Sequence, residues 1–159
     1  MKIKLITVGK LKEKYLTMGI DEYSKRIKAF SNLEIIELKD LSMGENPSDK
    51  EIEIIKNKEG EDILSKIKSN EYVISLCIEG KMIDSVELAN KISEITTYNS
   101  SDITFIIGGS YGLSDDVKSR SDYKLSFSRM TFPHQLMRLI LLEQIYRAFK
   151  ILNNSTYHK

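Results

Sequence analysis

Nine residues, FSRMTFPHQ at 127–135, put two hydroxyls, a guanidinium, a proline and one of only two histidines on one turn. Ser128 and Thr131 can bond to neighbouring backbone. Arg129 can take a phosphate or a carboxylate, and His134 titrates near neutrality. A second chemical stretch is GGSYG at 108–112, whose glycines let backbone approach a ligand closely. It matches the G-x-S-x-G of a nucleophile elbow, with Ser110 as nucleophile and Asp115, Asp116, Asp122, His134 and His158 following in a usable order. An elbow turns straight from its serine into a helix, whereas Tyr111, Gly112 and Leu113 intervene here before the first helix signal at Ser114. That spacing weighs against a serine hydrolase. The chain closes on a phenol, an imidazole and an ammonium, Tyr157, His158 and Lys159, at a place where chains are commonly disordered.

Other chemistries are excluded or unsupported. There is no G-x-x-x-x-G-K-[ST] phosphate loop, and the first strand-to-helix turn, VGKLKEKY, lacks G-x-G-x-x-G. Cys77 is the only cysteine, so no intrachain disulfide forms and a reducing cytoplasm fits. Inside YVISLCIEG it reads as a buried, inert thiol. No Cys/His cluster points to a metal. The net charge of +1 implies no partner by itself, so a nucleic-acid surface would be a local patch. Lys10, Lys12 and Lys14 after the first strand, with Arg129 and Lys159, are its candidate members. The apolar stretch of MKIKLITVGK is too short for a signal peptide, and no run approaches the ~18 apolar residues of a membrane span.

The elements that must position these residues follow from periodicity. The 159 residues suit one domain, with hydrophobic and charged fractions of 41% and 30%. Strands are expected at 3–9, 33–38, 72–79, 102–109 and 123–128. The intervening helices are expected at 11–30, with Leu11, Tyr15, Met18 and Tyr23 as its apolar positions, then from Pro47, at 86–96 and at 114–119. A long helix follows from about Pro133. Ser48 with Glu51 forms a capping box ahead of an apolar stripe of Ile52, Ile55, Ile63 and Ile67. Asp84 and Ser85 cap the next helix. Gly80 ends the third strand, and DLSMGENPSD is a loop. Strict β–α alternation implies an α/β fold, a mostly parallel sheet with helices on both faces. In such sheets sites form beyond the C-terminal strand ends. Those ends here are 76–80, 108–112 and 127–132. The last helix is apolar nearly all round (Leu136, Leu139, Ile140, Leu141, Leu142, Ile145, Phe149, Leu152), which predicts a homodimer covering its outer side. Arg138, Glu143, Gln144 and Arg147 interrupt it and should pair, within the chain or across the dimer.

FIIGGSYGL, LSFSRMTFPHQLMRLILLEQIYRAF and the terminal YHK together resemble the RlmH family, small SPOUT-class methyltransferases of bacterial 23S rRNA, over the whole length. The resemblance implies a C-terminal trefoil knot and S-adenosylmethionine as cofactor, held by Leu76, Gly108 and a strained turn of Phe127, Ser128, Arg129, Met130, Thr131 and Phe132. It implies methylation at N3 of a pseudouridine in the assembled 70S ribosome, by a homodimer in which one subunit lends its tail to the other's cofactor site. His158 is then the candidate base or proton relay, with Tyr157 stacking on or orienting the target. Lys10, Arg129 and Lys159 would touch RNA. Ser128 and Thr131 would brace the turn, Arg129 would reach RNA phosphate or the cofactor carboxylate, and His134 is assigned mainly to structure. Asn154 and Thr156 stand where the family commonly has glycine and proline. Asn tolerates left-handed backbone, and a tail without proline is freer. The alternative, a ribosome-binding module without catalysis, is disfavoured by the intact turn and tail.

Overall fold

The computed structural model describes residues 1–42 and 44–159, so Met43, in the stretch read as a loop, lies outside the described residues. Five strands alternate with five helices. In chain order they are β1 (Lys2–Val8), α1 (Lys14–Ile27), β2 (Asn32–Leu38), α2 (Asp49–Leu64), β3 (Tyr72–Met82), α3 (Ser85–Tyr98), β4 (Asp102–Ile107), α4 (Asp115–Arg120), β5 (Tyr123–Ser126) and α5 (His134–Leu152). The sheet runs β2-β1-β4-β3-β5, every pairing parallel, in register from Lys2↔Asn32 to Val8↔Leu38 at one side and Lys2↔Asp102 to Thr7↔Ile107 at the next.

Parallel strands are covered on both faces, and β1 shows why its residues alternate in partner rather than in polarity. Ile3 and Leu5 enter one core with Ile20, Ile27, Leu88, Ile92, Leu141 and Phe149 of α1, α3 and α5. Ile6 and Val8 point the other way, to Ile63, Leu113 and Val117 under α2 and α4. Capping boxes fix two helix starts, Ser48 with Glu51 and Asp84 with Glu87. Each such cap is worth about 1 kcal/mol. Pro47 lies before the cap rather than inside the first turn.

Two expectations are corrected. Helix α1 buries Leu16, Ile20 and Ile27, while Tyr15 and Met18 face outward. Strand β3 does not stop at Gly80. It bulges so that Leu125 of β5 pairs with both Leu76 and Lys81. A Cβ on Gly80 would stand 2.8 Å from the backbone of Lys124 and Leu125, so the glycine permits that contact rather than ending the strand. Helix α5 is flanked within its own chain. It packs between α1 and α3, and Gly19 lets Leu139 come in so closely that a Cβ there would sit 3.0 Å from its methyls. Arg138 and Arg147 are paired within the protomer, to Glu37 at 2.6 Å and Glu143 at 2.7 Å. No helix among the described residues is long and apolar enough to cross a membrane.

Candidate active site

The C-terminal ends of β3, β4 and β5 meet around a cavity of about 630 Å³, well within the roughly 300–1,000 Å³ of small-molecule sites. Leu76, Cys77 and Ile78 come from β3, the loop 108–113 from the end of β4, and residues 125–128 and 130–134 from β5 and the turn after it. Seven of the residues singled out for cofactor binding line it: Leu76, Gly108, Phe127, Ser128, Met130, Thr131 and Phe132. Arg129 does not. It is exposed on the outside of the same turn.

The glycine loop is closed by the Gly112 N–H donating to Gly109 O at 3.1 Å, with Gly112 at φ 84°. At Gly108 a Cβ would meet Leu113 Cδ2 at 2.9 Å and the Gly112 backbone at 3.1 Å. A side chain there would force the loop open. The second turn is braced by Ser126 Oγ donating to Ser128 O at 3.1 Å and the Met130 N–H donating to Ser128 Oγ at 2.9 Å. The bracing expected of Ser128 is thus present, but none is seen for Thr131 among the described residues. Nor is the turn strained in the expected sense, since Asn154 (φ 54°) is the one non-glycine residue described with positive φ. These walls combine apolar faces with the polar loops 108–112 and 127–132, a lining of the kind small-molecule ligands take.

Several wall residues went unnoticed in the sequence. Lys56 and the Lys118–Glu79 pair (2.6 Å) supply charge. The hydrogen bond from Lys118 holds Glu79 below the usual carboxylate range. Cys77 is half-buried rather than sealed in the core, and burial, then Glu79, push its thiol up. His134 faces the cavity as well. Burial and then Arg138 pull its pKa down against the opposing pull of Asp40, so the neutral ring is favoured. Arg138, 1% exposed, ties this wall to the end of β1 by donating to Gly9 O at 3.2 Å. Lys10 and Lys12 sit exposed on that moored segment, where the Lys12 N–H donates to Gln135 Oε1 at 3.1 Å.

The tail lies elsewhere. Tyr157 donates its hydroxyl to Glu143 Oε1 at 3.1 Å and stands edge-on to Tyr146 at 5.0 Å. The Arg147 guanidinium lies 4.8 Å over its ring and bonds His158 Nδ1 at 3.1 Å. Burial, with hydrogen bonds to Tyr23 and Glu143, pushes the Tyr157 phenol up to about 12. Lys159 is exposed. Tyr157 and His158 are therefore gathered on the middle of their own α5 and are not among the cavity walls. The chain turns back through Asn154, whose left-handed backbone is the conformation expected of it.

Ser110 lines the cavity but has no hydrogen bond to either histidine among the described residues, and α4 begins only at Asp115. No nucleophile–base pair is assembled at Ser110 among the described residues. The described residues hold no cluster of three metal-ligating side chains.

Residues 1–158 match the family model of the predicted SPOUT methyltransferases. Proteins named ribosomal RNA large subunit methyltransferase H match over the full length of both chains, at 60% identity in Clostridioides difficile (strain 630), 58% in Bacillus pumilus (strain SAFR-032) and 59% in Finegoldia magna. The solved structure of a probable methylase family protein from Haemophilus influenzae Rd KW20 superposes with a TM-score of 0.51 at 15% identity, covering 99% of this chain and 70% of that one. That likeness speaks for the fold alone. With a parallel five-stranded sheet, a cavity at its carboxyl edge and full-length relatives of one name, the chain belongs to the SPOUT methyltransferases, in the ribosomal RNA large subunit methyltransferase H family.

Proposed function

We propose that this protein transfers a methyl group from S-adenosylmethionine to N3 of a pseudouridine in 23S rRNA, in the cytoplasm, with the assembled 70S ribosome as substrate. The observation that carries the reading is the convergence of Leu76, Gly108 and the 127–132 turn on one cavity of suitable size. The full-length relatives support the RNA class.

S-adenosylmethionine supplies an electrophilic methyl on a good leaving group. The chain's part is to hold and align. Main-chain groups of 108–112 and 127–132 would read the adenine edge, while Leu76, Phe127, Met130 and Phe132 exclude water. Such positioning is worth roughly 7–11 kcal/mol of barrier. Arg129, outside the wall, is free to meet RNA phosphate together with Lys10 and Lys159. His158 takes the N3 proton, directly or through a relay, and Tyr157 orients the base.

Because Tyr157 and His158 rest on α5 of their own chain, we assign their catalytic role to the cavity of a second copy. A depression of about 260 Å³ of mixed lining, Ile83, Phe127 and Ile140 beside Asp84, Ser85 and Gln144, offers that copy a seat beside the cavity. The SPOUT family match is what supports threading of the C-terminal segment as a trefoil knot.

The test is to incubate the protein with labelled S-adenosylmethionine and 70S ribosomes from a strain lacking this gene, then map the label. A single labelled pseudouridine in 23S rRNA is expected. Label elsewhere, or none, overturns the assignment.

A further inference from the structure

Among the described residues two carboxylates are deeply buried, Glu59 and Glu71, and of these only Glu71 is paired with a cation. Glu71 uses both oxygens, Oε1 for the Lys4 ammonium at 2.6 Å and Oε2 for the Thr104 hydroxyl at 2.9 Å. Glu59, 4% exposed, is half satisfied. Its Oε2 accepts the Leu41 N–H at 3.0 Å, while Oε1 has no partner among the described residues. Burial raises its pKa against the Leu41 hydrogen bond, and Asp40 and Asp62 add to the rise. A charge so placed costs stability unless something repays it.

The unsatisfied oxygen lies directly behind the cavity wall. A Cβ on Gly109 would stand 3.1 Å from Glu59 Oε1 and 3.5 Å from Oε2, so glycine lets the loop rest on the carboxylate. Gly60, the next residue, brings α2 in by making room for Ser114 Oγ. The charges of the wall itself are Lys56 and the mutually paired Lys118 and Glu79. The wall alone is thus net positive, a poor host for a cation. The carboxylate that offsets it is Glu59, one peptide layer away and shielded from water, where charge is weakly screened.

We propose that Glu59, acting through the Gly108–Gly112 loop, is the charge that lets the cavity prefer a sulfonium donor over its neutral thioether product. The inference rests on the S-adenosylmethionine reading above. In the transfer the S–CH3 bond breaks with its electron pair left on sulfur, the N3–C bond forms, and the N3 proton leaves to the base. The occupant of the cavity thereby loses one positive charge. With that charge gone, the attraction from Glu59 goes too, and the product is released more easily than the donor. Glu59 touches no reacting atom and is a specificity-determining residue.

Calorimetry on the full chain with S-adenosylmethionine and S-adenosylhomocysteine tests this. Glu59→Gln should weaken donor binding about tenfold and leave product binding within about twofold. Glu59→Asp, which keeps the charge, should preserve the donor-to-product ratio. Lys56→Gln, which removes a positive charge from the wall, should shift the ratio toward the donor by about threefold. Equal losses for both ligands in Glu59→Gln mean a mere prop for the loop and overturn the proposal, as does no change in either. If Glu59→Gln does not fold, an unchanged ratio in Lys56→Gln overturns it. A wild-type protein that binds neither ligand overturns the cofactor reading instead, a result distinct from binding both without charge preference.

Discussion

The cavity and the C-terminal tail are the two chemically loaded regions of this chain, and they are built on opposite principles. The cavity is main chain between apolar walls, set by three strand ends and by glycines whose missing side chains would otherwise meet Leu113, Glu59 or the backbone of Lys124 and Leu125. The tail cluster is side chain on side chain, with Tyr157 and His158 held by Glu143, Tyr146 and Arg147 on one helix. A backbone site is fixed once the sheet forms. A side-chain cluster on a helix surface can be presented to another molecule. The difference teaches that one protomer carries a cavity complete in its own backbone and a polar cluster docked apart from it.

The sharpest way to break that contrast is His158→Ala. Turnover on ribosomes should fall about 10²–10⁴-fold, the range of general acid–base catalysis, while donor affinity by calorimetry stays within about twofold. Unchanged turnover removes His158 from the mechanism. Mixed dimers of this variant with Gly108→Val should recover activity that neither variant has alone, because one tail and one cavity remain intact across the interface. Failure to complement would place tail and cavity in the same chain's service.

A smaller effect sharpens the contrast from the cavity side. Gly60→Ala puts a methyl into Ser114 Oγ beneath the glycine loop. Over-packing of that kind costs about 1–3 kcal/mol, or roughly 2–4 °C of Tm per kcal/mol at this size. Donor binding should weaken with it. Thermal melts and calorimetry read both, and truncation after residue 153 should leave donor binding unchanged.

Alkaline pH isolates the tail. With its phenol pushed up to about 12, Tyr157 contributes stability that is fully present below the unfolded value near 10 and is lost as pH rises through 12. Melts between pH 9 and 12 should show a shallower alkaline decline in Tyr157→Phe. The smallest effect is expected from Lys10→Ala, which should lower the salt slope of ribosome binding by about one unit without touching donor affinity.

How much of this was legible in the sequence depends on the range of the contacts. The strands are readable because parallel strands buried on both faces are rich in β-branched and apolar residues, as in β1 and β4. The caps at Ser48 and Asp84 are readable because their partners lie three residues on. The site's outline follows from topology, since the ends of β3, β4 and β5 share one sheet edge. Failure begins where the partner is remote. Tyr15 and Met18 have apolar character at helical spacing, yet the buried face of α1 is set by Gly19 against Leu139, far along the chain. Arg138 meets Glu37 across the fold, and Lys56 and Glu59 reach the β4 loop only because α2 and α4 lie together. Nothing local marks them. Tyr157 and His158 stand out by type, but only the structure places them on Glu143 and Arg147.

The lone thiol gives the molecule an intrinsic reporter. Cys77 sits in the cavity wall with no other cysteine in the chain to compete. A maleimide or a fluorinated alkylating tag therefore modifies a single position, slowly because the thiolate is disfavoured. Occupancy of the cavity can then be followed as protection against labelling, with ribosomes present and without engineering a foreign residue.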